Sequence, residues 1–308
     1  MITTVTLSPM LDKTVMVDAV RRGAVSRASR VDMVVGGKGI NVSRQLHMLG
    51  DETVATGFVG GEVGALLERL LDGEGIRHEF VRVAGMTREG VTYRENDGTS
   101  TSVFEPSPSV TADDVDRLLE RCRLLAHRSS WVVCGGSSPS PEADDAFRMI
   151  ISACRERNVP VVLDSYGPAL ARGVEAGPTM IKPNREEFEQ SFGRPLKTEA
   201  DMVAAARDMV KKGIGMCVIT DGARPFVAAT RDESWVVTPP RITPVNPTGS
   251  GDSMIAGFLH CMLAGRPFDE ALTFGAAAGV LNSADWRVAS STFDEIAGMS
   301  QKVTVRRL

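Results

Sequence analysis

Trp131-Val132-Val133-Cys134, Val161-Val162-Leu163, Thr179-Met180-Ile181 and Cys217-Val218-Ile219 are four short, almost wholly apolar runs, each separated from the next by residues of helical period. Runs of this kind suit strands covered on both faces, and their alternation with helices predicts parallel βα units. The helix before the first run shows how the pattern reads. Thr111 suits an N-cap, Asp113 and Asp114 suit the positive first turn, and Val115, Leu118, Leu119, Cys122 and Leu125 recur at helical spacing. A second helix, from Thr198 to a stop at Gly213 after Lys211 and Lys212, lies between the last two runs. The body is therefore expected to be α/β.

The N-terminal third follows another pattern. Residues 13–20 and 27–35 read as strands with no helix between them, and Gly90 to Phe104 reads as a hairpin turning at Asn96-Asp97-Gly98. Val91, Tyr93 and Glu95 alternate with Thr92 and Arg94, so the hairpin has two unlike sides. These segments predict a small β-sheet appended to one domain spanning 1–308, built from two insertions at about 13–35 and 88–105. The helical segments 41–49 and 62–75 fall between them.

Composition narrows the function. With 43% hydrophobic and 24% charged residues over 308 positions, the chain can bury a large core and is far from the composition of disorder. Lys and Arg (35) against Asp and Glu (39) leave a net charge of −4, so no global basic field would hold a nucleic-acid backbone. Five scattered cysteines without a C-x-x-C pair argue for a reducing compartment. The N-terminus lacks a signal-type apolar run, and Met254 to Leu263 is about half a membrane span. The expectation is a cytoplasmic protein with no membrane partner. The four histidines stand in no metal-ligand spacing.

Three segments carry chemistry. In Asn246-Pro247-Thr248-Gly249-Ser250-Gly251-Asp252-Ser253, followed by an apolar helix, the glycines let backbone N–H groups converge at a helix N-terminus that favours an anion. Asp252 would weaken that binding, yet serves if a hydroxyl must lose its proton as phosphate arrives. Gly36-Gly37-Lys38-Gly39-Ile40-Asn41-Val42-Ser43 leads into a helix expected from Val42 to Leu49, and its lysine and amide could hold a polyol. It is not a P-loop, because Asp32 stands at the first glycine position and Gly39 replaces the Ser or Thr. In Lys182-Pro183-Asn184-Arg185-Glu186-Glu187, Asn184 and Glu187 share a helical face and could address a hydrated Mg²⁺ and its phosphates, or simply start a helix.

Together, in this order, the three segments resemble the ribokinase-like or PfkB carbohydrate kinases. Asn246-Pro247 before the G-S-G-D loop, Phe58-Val59-Gly60-Gly61-Glu62 and Phe104-Glu105-Pro106 are most similar to the tagatose-6-phosphate kinases, with 1-phosphofructokinases close behind. The resemblance implies a three-layer α/β/α sandwich with a β-lid, transferring the γ-phosphoryl of ATP, with Mg²⁺, to a sugar hydroxyl. It implies Asp252 as base and the backbone of Gly249, Ser250 and Gly251 as anion hole. Asp12, Gly37 and Asn41 would bind sugar hydroxyls, and Lys38 and Arg88 the phosphate already on the substrate. Asn184 would meet the nucleotide phosphates, and Glu187 the metal through water or phosphate. Thr220, Gly222 and Asn282 map onto the nucleotide side.

The substrate implied is a ketohexose monophosphate, tagatose 6-phosphate ahead of fructose 1-phosphate and fructose 6-phosphate third. A homodimer joined through the lid is expected, with Val91, Tyr93 or the residues around Val15 and Val17 buried. Two other readings stay open, a kinase of an unphosphorylated sugar or nucleoside and a non-catalytic sugar-phosphate or nucleotide sensor. The sequence departs from the family in one place that bears on the substrate: Glu89, after Arg88, would oppose a phosphate if it pointed inward.

Overall fold

The computed structural model describes residues 1–308. In chain order, β1 (Ile2–Thr6), β2 (Met10–Val17), β3 (Arg30–Gly36), α1 (Lys38–Met48), β4 (Thr53–Val59) and α2 (Gly61–Gly73) come first. The short β5 (Val81–Arg82) and the hairpin β6 (Arg88–Glu95) and β7 (Ser100–Phe104) follow. Next are α3 (Ala112–Ala126), β8 (Trp131–Gly135), α4 (Ala146–Arg155), β9 (Val161–Asp164), α5 (Gly167–Glu175) and β10 (Met180–Ile181). Then come α6 (Arg185–Phe192), α7 (Glu199–Lys211), β11 (Met216–Ile219), β12 (Phe226–Thr230) and β13 (Ser234–Thr238). The chain ends with α8 (Ser250–Leu263), α9 (Phe268–Ala284), α10 (Phe293–Ser300) and β14 (Thr304–Arg307).

The four apolar runs become β8, β9, β10 and β11, adjacent and parallel in a ten-stranded sheet of order β14-β13-β12-β11-β10-β9-β8-β1-β4-β5. Period-2 alternation sorts their side chains between two layers. Val132 and Cys134 pack with Leu118, Phe147, Leu170 and Ala205 from α3, α4, α5 and α7. Trp131 and Val133 pack with Val42 and Leu46 of α1, Phe258 of α8 and Leu272 of α9. The result is an α/β/α sandwich. Truncating a fully buried anchor such as Phe147 to alanine would cost about 3–5 kcal/mol, a large share of a domain's net stability. Thr111 and Thr198 both close capping boxes, with Asp114 and Asp201, as their positions predict.

Several elements depart from expectation. β1, β4 and the antiparallel meander β12-β13-β14 are not foreseen by the apolar-run pattern. β1 lies mid-sheet although Thr3, Thr4 and Thr6 interrupt it, because its buried hydroxyls find partners: Thr3 Oγ1 meets Ser129 Oγ at 2.7 Å and Thr4 Oγ1 meets Ser43 Oγ at 2.8 Å. Helix α1 starts at Lys38 rather than Val42, with Gly37 as its N-cap. Lys38 therefore belongs to the helix's first turn and not to a loop.

The second sheet has order β3-β2-β6-β7, drawn from residues 10–36 and 88–104, with β2 and β6 parallel. Its register places Met10 opposite Arg88 and Asp12 opposite Gly90 on one face. On the other face Met33, Lys13, Val91 and Val103 form one row, and Val31, Val15 and Tyr93 the next. Glu89 belongs to this second face, where Lys13 Nζ holds its carboxylate at 2.7 Å. It points away from Arg88.

Candidate active site

The parallel strands end at one edge of the large sheet, and that edge collects the charged groups, as crevices at strand carboxyl ends do. Asp164 is the last residue of β9 and is buried; its Oδ1 lies 3.2 Å from Lys38 Nζ and 3.3 Å from Lys182 Nζ. Lys38 Nζ also reaches Glu187 Oε1 at 2.7 Å. Burial alone would lower the Lys38 pKa, but Asp164, Glu187 and Asp252 together hold it above the usual lysine range. Asp164 has burial against it, yet Lys182 and Lys38 hold its carboxyl below the ordinary value.

Asp252 sits in the first turn of α8 and is buried. Its Oδ2 accepts a hydrogen bond from Asn41 Nδ2 at 2.8 Å. Burial, with the negative charge of Asp164 second, pushes its pKa up to about 6; Lys38, Asn41 and Lys182 pull the other way. A carboxylate poised there is ionised at neutral pH and close enough to neutrality to take a proton.

The start of α8 is built as an anion cradle. Gly249 caps the helix with φ 81°, a left-handed conformation that glycine adopts without strain, and a Cβ there would strike Val288 Cγ1 at 2.5 Å. Ser250 N donates to Pro247 O at 3.2 Å, and the N–H groups of Gly251 and Asp252 remain free at this helix start. Lys182 borders it: a Cβ on Gly251 would sit 2.9 Å from Lys182 Nζ. Asn282, expected on the nucleotide side, is instead buried beneath the loop. Its Nδ2 donates to Thr248 O at 2.7 Å and to Ser250 Oγ at 3.1 Å, while its Oδ1 accepts from Ala289 N at 2.7 Å. With both ends of its amide engaged, it braces the cradle and has no exposed surface to offer a nucleotide.

The small sheet carries Asp12 and Arg88 on one face. Asp12 Oδ1 and Arg88 Nε are both buried without a hydrogen-bond partner in the chain, and buried polar groups of this kind call for a polar ligand. Burial raises the Asp12 pKa and lowers that of Arg88, which Tyr166 partly restores. Tyr166 follows β9 by two residues, and its ring centre lies 6.0 Å from Lys38 Nζ. The substrate-binding residues named from sequence thus divide. Asp12 and Arg88 lie on the small sheet, whereas Lys38 and Asn41 lie on α1 beside Asp252.

Asn184 and Glu187 realise the helix start that their spacing allows. Asn184 caps α6, its Oδ1 accepting from Glu187 N at 2.8 Å while Glu187 Oε2 accepts from Asn184 N at 2.8 Å. Thr220 bridges to Asn184 across the neighbouring strand end, Arg185 N donates to Thr220 O at 2.8 Å, and Gly222 turns the next loop with φ 60°. The chain has no group of three or more His, Cys, Asp or Glu side chains placed to cage a metal. The nearest carboxylate to serve is Glu187, and with Oε1 on Lys38 Nζ and Oε2 on Asn184 N it would meet Mg²⁺ only through water or substrate phosphate.

Sequence reading assigned no role to Asp164, Lys182 or Tyr166. Asp164 could have been flagged as the single acid at the end of an apolar strand, and Lys182 as the cation that opens the Lys182-Pro183-Asn184 motif. A helix N-terminus with free N–H groups, a buried carboxylate in its first turn and two unpartnered polar atoms on the small sheet are the parts needed by one class of protein, a kinase that phosphorylates a hydroxyl. The profile of the pfkB family carbohydrate kinases matches residues 6–285. A structure from Thermotoga maritima described as a possible 1-phosphofructokinase superposes with a TM-score of 0.90 at 29% identity, covering 100% of this chain and 99% of that one. Phosphofructokinase-2 from Escherichia coli, in its tetrameric inhibited form, gives 0.89 at 25% identity over 98% of both chains. The same enzyme in complex with fructose-6-phosphate also gives 0.89 at 25% identity over 98% of both chains. The chain belongs to the pfkB family of carbohydrate kinases and has its ribokinase-like fold. No helix is long and apolar enough to cross a membrane.

Proposed function

We propose that this kinase transfers the γ-phosphoryl group of ATP to a hydroxyl of a ketohexose monophosphate, with tagatose 6-phosphate ahead of fructose 1-phosphate and fructose 6-phosphate third. The observation that carries the reading is Asp252, buried next to the anion cradle of α8. A negative charge there opposes polyanion binding, which fits a protein that removes a proton from its acceptor. The acceptor hydroxyl gives its proton to Asp252 as its oxygen bonds to the γ-phosphorus and the bond to the β-bridging oxygen breaks, releasing ADP. Gly249, Gly251 and Asp252 have free backbone N–H groups to donate to the moving phosphoryl group, whereas that of Ser250, expected among them, already donates to Pro247 O at 3.2 Å; Lys182 stands beside them. Mg²⁺, met by Glu187 through water or phosphate, would neutralise charge on the nucleotide.

The phosphate already on the substrate is assigned to Arg88, whose Nε has no partner in the chain, and to Lys38, whose ammonium also neutralises Asp164 and Glu187. Two neighbours support this branch of substrates, one described as a possible 1-phosphofructokinase and one solved with fructose-6-phosphate. The test is ADP release measured with a coupled assay across sugars and sugar phosphates. Turnover on ketohexose monophosphates well above that on free sugars supports the reading. Preference for a free sugar or nucleoside would replace it, and no turnover on any acceptor would favour a sensor.

A homodimer paired through the small sheet belongs to the same proposal. Its outer face leaves Val31, Met33 and Val103 more than half exposed, next to the half-buried Val15, Val91 and Tyr93. Val17, expected at this contact, is only 3% exposed within the chain and has little surface to bury against a partner. A second copy is the simplest cover for such a face. Sedimentation should show a dimer that Val103→Asp with Met33→Glu dissociates; a wild-type monomer at micromolar concentration rejects it.

A further inference from the structure

Arg44 lies one helical turn beyond Asn41 on α1 and is nearly buried. Its Nη1 donates to Asn41 Oδ1 at 2.9 Å, and Nη2 donates to Val35 O at 2.9 Å. Glu74 anchors the other side of the guanidinium, its Oε2 accepting from Nε at 2.6 Å and its Oε1 from Nη2 at 3.2 Å. The guanidinium has donors only, so the amide atom that faces it must be the oxygen. Asn41 is thereby left with its NH₂ end toward Asp252, the contact seen at 2.8 Å.

We propose that Arg44 is a positioning residue for phosphoryl transfer, holding the Asn41 amide so that it always donates to Asp252; this rests on Asp252 being the base. An ionised Asp252 would by itself draw the NH₂ end. Once it has taken the substrate's proton, its O–H can donate to Asn41 Oδ1 equally well, and nothing but Arg44 opposes a turn of the amide. A turned amide would keep Asp252 protonated and present an acceptor where the next substrate hydroxyl must be received. Arg44 removes that dead end by occupying Oδ1 throughout the cycle. Asn41 thus keeps one N–H for Asp252 and one for the acceptor hydroxyl.

The experiment is a double-mutant cycle in kcat, with thermal midpoints measured in parallel. Arg44→Lys keeps a cation for Glu74 but loses the planar fork, and Arg44→Gln is run beside it. Either variant should lower kcat about tenfold, the worth of one charge-assisted hydrogen bond, with KM for ATP unchanged within about twofold. In an Asn41→Ala background the Arg44 substitution should lower kcat no further. A purely structural arginine would instead lower the melting point and leave kcat of the folded enzyme near wild type, in both backgrounds. Full turnover in Arg44→Lys, or losses in kcat that multiply in the double variant, would overturn the proposal. Asp252→Asn separates the two levels of inference: near-normal turnover there removes the base itself, whatever the Arg44 cycle shows.

Discussion

Lys182 Nζ stands 2.9 Å from the place a Cβ would take on Gly251, so the ammonium and the start of α8 share one small space. Lys182 is 3% exposed and tied to Asp164, and it cannot move aside without leaving that carboxylate. Gly251→Ala should therefore cost about 1–3 kcal/mol, because the displaced ammonium loosens a buried ion pair with Asp164, while kcat falls roughly tenfold or more. Lys182→Met should cost kcat more, on the order of 100-fold, because it also leaves Asp164 short of a cation. Steady-state kinetics at saturating sugar decides, and wild-type kcat in Gly251→Ala would separate Lys182 from the phosphoryl path.

The raised pKa of Asp252 predicts two pH effects of opposite practical sense. Activity needs the ionised form, so kcat/KM for the sugar should fall below about pH 6, the value to which burial and Asp164 push the carboxyl. In Asp252→Asn turnover should drop by roughly two or more orders of magnitude and that acidic limb should vanish. Stability runs the other way. Between the unfolded value near 4 and the folded value near 6 the native state binds the extra proton, so the group's contribution turns unfavourable as pH rises through that window. Asp252→Asn should thus stabilise the free enzyme at pH 8 by roughly 1–3 kcal/mol and lose that advantage by pH 4. An unchanged melting point at pH 8 would contradict the buried, ionised carboxylate.

Lys38 and Arg88 were paired by sequence as holders of the substrate phosphate, but their surroundings predict different kinetics. Arg88 has an unpartnered Nε on the small sheet, so Arg88→Ala should raise KM for the sugar phosphate about 10- to 150-fold, with KM for ATP little changed. Lys38 already neutralises Asp164 and Glu187, and removing it leaves Glu187 unpaired and Asp164 acting on Asp252 with Lys182 as its remaining cation. Lys38→Ala should raise the same KM and also lower kcat, with its acidic limb moved to higher pH. Loss of ATP affinity with sugar affinity intact, in both variants, would reverse the assignment of the two phosphate sites.

The legibility of this site followed the backbone. Gly249, Gly251 and Gly37 are visible in sequence because glycine marks where a chain turns sharply or lies close to a ligand. Asp164 was hidden because its meaning is relational: it is one acid after three apolar residues until β9 and α1 bring it to Lys38, 126 positions away. The same holds for Asn282, whose spacing from the G-S-G-D loop says nothing of whether its amide faces the cleft or the loop's underside. The start of α1 was misplaced because Gly39 argues locally against helix. A Cβ there would meet Thr6 Oγ1 at 2.6 Å, so close packing on β1 keeps glycine in a helix its propensity disfavours. Buried threonines likewise disguised β1, since pairing with Ser129 and Ser43 makes a central strand out of an outwardly polar pattern.

Arg94, on β6, lies over the indole of Trp286 with its guanidinium carbon 4.3 Å from the ring centre. This joins the small sheet to the loop after α9, which is itself tied to the cradle segment because Trp286 O accepts from Asn246 Nδ2 at 3.1 Å. A cation over an indole contributes about 0.5–2 kcal/mol, depending on how dry the contact is. Arg94→Ala or Trp286→Ala should accordingly raise KM for the sugar about 2- to 30-fold through a looser sheet, with small effects on the melting point. Of the three tryptophans, Trp131 and Trp235 are buried in the core, so Trp286 is the indole whose surroundings change with the small sheet. Sugar phosphate should shift the emission of the wild-type enzyme and leave that of Trp286→Phe nearly unchanged. An equal shift in the variant would show that the sheet does not move against this loop when substrate binds.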